Sequence, residues 1–89
     1  MLQIDFDAVV FQEGETYIAY SPKLDLSSCG KTIEEARKNL KTAVRLFIKE
    51  VAKMGTLEDV LKEAGYEPKE RNYWLAQRIV ATELMHLEA

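Results

Sequence analysis

A single cysteine, Cys29, leaves this chain without an internal disulfide, so its stability has to come from packing and not from cross-links. That cysteine and the single histidine, His86, are too few for a Cys/His metal site. Only four glycines and two prolines are present, which excludes linker-like or low-complexity composition and lets each be read as local punctuation. No apolar run approaches the roughly 20 residues of a membrane-spanning helix. The opening Met1-Leu2-Gln3-Ile4-Asp5 has no basic segment and turns acidic at once, unlike a secretory signal. The expected compartment is cytoplasmic.

What is present is ordinary globular material: 89 residues, 47% hydrophobic and 30% charged. That is one domain, residues 1–89, without internal repeats. A domain this small hides only roughly two-thirds of its unfolded surface, which makes a homo-oligomer, a dimer or higher, a reasonable expectation. The net charge of −3 conceals a segregation. Residues 37–53 hold six bases against Glu50, whereas the segments before and after them are acidic.

Leu2, Ile4, Phe6, Ala8 and Val10 alternate with Gln3, Asp5 and Asp7, the period of a half-buried strand over residues 2–11. Glu13-Gly14-Glu15 marks a tight turn, and Thr16-Tyr17-Ile18-Ala19-Tyr20 reads as the return strand. Residues 24–29 read as a short third strand. After Gly30-Lys31, Thr32 stands three residues before Glu35, the spacing of a capping box. Ile33, Ala36, Leu40, Ala43, Val44, Phe47, Val51 and Met54 then recur in steps of three and four, which predicts one long amphipathic helix over 33–54. Gly55 is placed to stop it. Thr56-Leu57-Glu58-Asp59 repeats the cap pattern and predicts a short helix over 57–64. Residues 66–72 read as a polar connector. Residues 79–87 fit a closing strand, although Ala76, Val80, Leu84 and Leu87 also align at helical spacing. The fold class is α+β, a three- to four-stranded antiparallel sheet on one long helix in the order β-β-β-α-(α)-β.

The segments Tyr17–Leu24, Cys29–Ala36, Asn39-Leu40 and Ala43-Val44 resemble those of the HicB-type antitoxin family over about residues 2–54. That resemblance implies a truncated RNase H-like fold, a partner in a small basic RNA-cleaving HicA-like toxin, and occlusion of that toxin without catalysis. It brings no catalytic residues with it, so no enzyme activity and no cofactor are expected.

Competing chemistry can be weighed residue by residue. Asp5 and Asp7 share one strand face, but metal-assisted hydrolysis needs more converging acids, and a solvated polar face is the plainer explanation. Ser27, Ser28 and Cys29 are potential nucleophiles, but the one candidate base is the distant His86. Arg37, Lys41, Arg45 and Lys49 form a basic row at i+4 spacing. It reads either as a nucleic-acid stripe or as the solvated back of the helix, the latter favoured because no aromatic residue interleaves with it. Val9, Phe11 and Tyr17 are apolar candidates for a partner or oligomer interface. The acids of the N-terminal half suit a basic partner.

Overall fold

A computed structural model describes residues 2–89. Its order is β1 (Gln3–Ile4), β2 (Val9–Glu13), β3 (Thr16–Ser21), β4 (Leu26–Gly30), α1 (Ile33–Lys53), α2 (Leu57–Glu63), β5 (Glu67–Lys69) and β6 (Tyr73–Leu75). The expected α+β arrangement is present: β2-β3-β4 form an antiparallel meander, and α1 packs across it. A second three-stranded sheet, β1-β6-β5, lies beside it. Among the described residues no helix is long and apolar enough to cross a membrane.

The junction that launches α1 is built as its residues dictate. The Thr32 hydroxyl accepts from the Glu35 N–H at 3.0 Å, and the Glu35 carboxylate accepts from the Lys31 N–H at 3.2 Å. Two N–H groups with no helical partner are thereby satisfied, and Glu34 and Glu35 sit at the positive end of the helix dipole. Asn39 reaches back to donate to the Cys29 carbonyl at 2.8 Å, stapling the second helical turn to β4. The far end closes with Gly55 at φ +76, its N–H donating to Ala52 O and that of Thr56 to Val51 O.

The core follows from the helical stripe. Ala36, Leu40 and Val44 are buried against Ala19 and Leu24, and Leu61, Tyr66 and Trp74 complete the cluster. The two ends of the stripe are outside it, since Ile33 and Met54 are exposed.

Several expectations are corrected. The strand over residues 2–11 is divided: Gln3–Ile4 pairs in parallel with β6, while Val9–Glu13 pairs with β3. Polar contacts at the crossing hold the chain between sheets, because Tyr66 Oη donates to the Asp5 carbonyl at 2.7 Å and Tyr73 Oη to the Asp5 carboxylate at 2.7 Å. Tyr66 opens the segment read as connector and Tyr73 follows directly after it; residues 67–75 form a hairpin. β5 and β6 pair antiparallel around Glu70–Asn72, with Arg71 and Asn72 in left-handed backbone. Pro68 is tolerated because β5 is an edge. The closing strand is thus Tyr73–Leu75, and residues 79–87 form neither strand nor helix. Period-two apolarity lets a segment pair but does not choose its partner: residues 79–82 pass beside Asp7–Phe11 without joining either sheet. Thr56 does not cap α2 through its side chain; its hydroxyl donates to Val51 O at 3.4 Å.

Candidate partner-binding face

Strand register decides which side chains share a surface. Val10 opposes Ala19 and Ala19 opposes Ser28, and Ala19 is buried in the core. These residues therefore mark the side of the meander that faces α1. By alternation Val9, Phe11, Ile18, Tyr20 and Cys29 lie on the outer side. Cross-strand pairs tie them together: Val9 with Tyr20, Phe11 with Ile18, and Ile18 with Cys29. Phe11 is 56% exposed. An antiparallel sheet covered on one side ordinarily turns a polar face to water; this one turns apolar groups both ways.

Two of the three residues proposed from sequence, Val9 and Phe11, are on this face. Tyr17 is not. It stands two residues from Ala19, on the same side, and packs against the core. Ile18 and Tyr20 take its place, and the signal that finds them is the hairpin register set by Gly14. Acidic groups border the patch. Glu13 continues the outward alternation of β2 and is exposed. Asp25, at φ 53, presents its carboxylate to Tyr20 Oη at 2.8 Å. That hydrogen bond first, then burial and the Asp25 charge, raises the Tyr20 pKa.

A second polar feature sits where the chain crosses between sheets. Asp5 and Asp7 line one cleft with Lys23, Tyr66 and Arg78, so the two aspartates do share a site. Both are engaged: Asp5 by Tyr73 Oη, Asp7 by the Ile79 N–H at 2.7 Å. Among the described residues no three His, Cys, Asp or Glu come together. Here the aspartates act as acceptors that pin the crossing. Burial, reinforced by the charges of Asp7 and Asp5, pushes the Tyr66 pKa from 10.0 up to about 12. The Tyr73 pKa is raised by its hydrogen bond to Asp5, by burial and by the Asp5 charge, with Arg78 opposing.

These shifts give a pH dependence. A phenol whose pKa is higher folded than unfolded contributes stability that is complete below the unfolded value and lost as pH rises through the folded one. The Tyr66 contribution to the urea midpoint is expected to be constant below pH 10.0 and to be lost between there and about 12. Tyr66→Phe should lower the midpoint at neutral pH through the lost hydrogen bond, about 1 kcal/mol, and make the alkaline fall shallower. An unchanged alkaline slope would remove Tyr66 as its cause.

Cys29 and His86 are both exposed, one on β4 and the other in the C-terminal segment. Arg37, Lys41, Arg45 and Lys49 all stand exposed on α1. Among the described residues the one ion pair is Lys69–Glu67, so the row has no acidic partner there. No family model, no curated protein and no solved structure matches the chain.

Proposed function

We propose that this domain is a HicB-like, antitoxin-type binding protein that masks a small basic RNA-cleaving protein of the HicA type. The observation that carries it is the apolar outer face of the meander, with Phe11 56% exposed and Val9, Ile18 and Tyr20 half-buried around it, and with Glu13 and Asp25 at its border. Apolar area leaving water contributes about 25 cal/mol per Å², and border carboxylates favour a cationic partner and oppose an acidic one. The hairpin, junction and helix that carry the family resemblance form the scaffold presenting this face. Action is by occlusion, so stoichiometric binding and no turnover are expected.

The test is to look beside the gene for this chain for one encoding a small basic protein, and to co-express the two. Growth arrest by that protein should be relieved by the wild-type chain. Phe11→Glu should weaken the complex about 30-fold or more, as for loss of a central aromatic anchor, without loss of folding, because the ring is exposed. Absence of such a neighbour, or binding indifferent to Phe11→Glu, would sink the proposal.

A further inference from the structure

Two features of the chain are unaccounted for and complement each other. The first is the segment after Arg78. It leaves the body at Ile79, whose N–H is held by Asp7, and residues 79–82 pass beside Asp7–Phe11. Its side chains are bare: Val80 is 94%, Leu84 100% and Leu87 86% exposed. The segment carries Glu83 and Glu88 and no lysine or arginine. A compact chain of this length has a radius of gyration of about 12 Å, whereas this one has 15.0 Å and a longest extent of 45 Å, so the segment projects from the body.

The second is a groove between the N-terminal stretch and α1. Leu2, Ile4 and Phe6 form one wall and Val44 and Ile48 the floor, with Lys41, Arg45 and Lys49 along the rim. It continues past Phe6 and Lys41 to Ile33 and Arg37. From Ile33 to Lys49 it follows α1 for about 24 Å. Residues 83–89 in extended form span about 20 Å, within that length.

We propose that two copies of this chain dimerise by exchanging these segments, residues 83–89 of each lying in the groove of the other while residues 79–82 stay beside β2 of their own chain. The apolar side chains cover the groove, and Glu83 and Glu88 meet the basic row. The interface is two-fold and self-complementary, because each copy supplies one segment and one groove. The row that stands without an acidic partner in one copy obtains it from the second. Exchange is favoured over docking within one chain because Asp7 directs the segment along β2, while the groove is walled by Leu2–Phe6.

Light scattering and sedimentation on the full chain test the idea. The expected particle is twice the 10.2 kDa chain mass. Leu84→Glu/Leu87→Glu should raise the dimer dissociation constant about 100-fold or more, and these positions are exposed, so the fold survives. Lys41→Glu/Arg45→Glu and Glu83→Lys/Glu88→Lys should each give monomers, and an equimolar mixture of the two should restore a heterodimer. Phe11→Glu should leave the dimer intact, which separates failure here from failure of the toxin-masking reading. A monomeric wild type overturns the proposal, whether its segment is open to protease or protected within its own chain. So does a dimer indifferent to the segment variants, a failed mixing rescue, or a monomer whose basic row binds RNA with steep salt dependence.

Discussion

Gly30→Ala is expected to cost about 3 kcal/mol or more, toward the upper end of overpacking. The reason is contact. A Cβ at Gly30 would stand 2.6 Å from the Ala36 nitrogen and 2.9 Å from the Glu35 carbonyl carbon, and both are backbone atoms within the capped first turn. A flexible side chain could swing aside; this turn is held by Thr32 and Glu35 at its start and by Asn39 on the Cys29 carbonyl one turn later. Relief requires β4 and α1 to separate, which opens the core around Ala36 and Leu40. Gly14 is the control. A Cβ there meets nothing within 4 Å, but its φ is +63, so Gly14→Ala should cost only the left-handed penalty of about 1 kcal/mol. For a domain this size 3 kcal/mol lowers the melting temperature by roughly 12–24 °C. Calorimetry should therefore rank Gly30→Ala far below Gly14→Ala. Equal losses would show that close approach at the junction is not what holds it.

The same junction explains how much could be read in advance. Its residues act on neighbours within ten positions, so capping, periodicity and turn chemistry point to α1, the hairpin and the stop at Gly55. What escaped depends on contacts far apart in sequence. The break of the first strand is set by Tyr66 and Tyr73 acting on Asp5 across 61 and 68 positions, and no local pattern encodes that. Tyr17 failed as an interface residue because its face depends on register: one residue of slip exchanges the two sides of a strand. Residues 79–87 have the periodicity of a strand but join neither sheet, because periodicity alone does not choose a pairing partner. The basic row was legible as a row; the groove beneath it required Leu2, Ile4 and Phe6 to be folded against the helix.

Trp74→Ala should have an effect as large as the junction variant, by a different route. Trp74 is 3% exposed, at the centre of the β1-β6-β5 sheet, opposite Ile4 on one side and Pro68 on the other. Its carbonyl also accepts from the Asp5 N–H at 3.3 Å. Removing the indole from a filled core costs about 3–5 kcal/mol, against a total of about 5–13 kcal/mol for a domain of this length. The loss falls unevenly. Ala19, Ala36, Leu40 and Val44 hold the meander to α1 without it, whereas β1 is two residues long and pairs only with β6. Hydrogen exchange should therefore show protection lost first in Gln3–Ile4 and Tyr73–Leu75, with the meander amides opening at higher free energy. As the only tryptophan, Trp74 also reports on itself: wild-type emission should be that of a buried indole and shift red on unfolding. Trp74→Phe, which refills most of the space, should recover most of the stability. Uniform loss of protection across all six strands would mean that the two sheets open as one unit and that Trp74 serves the whole core instead of locking the smaller sheet onto it.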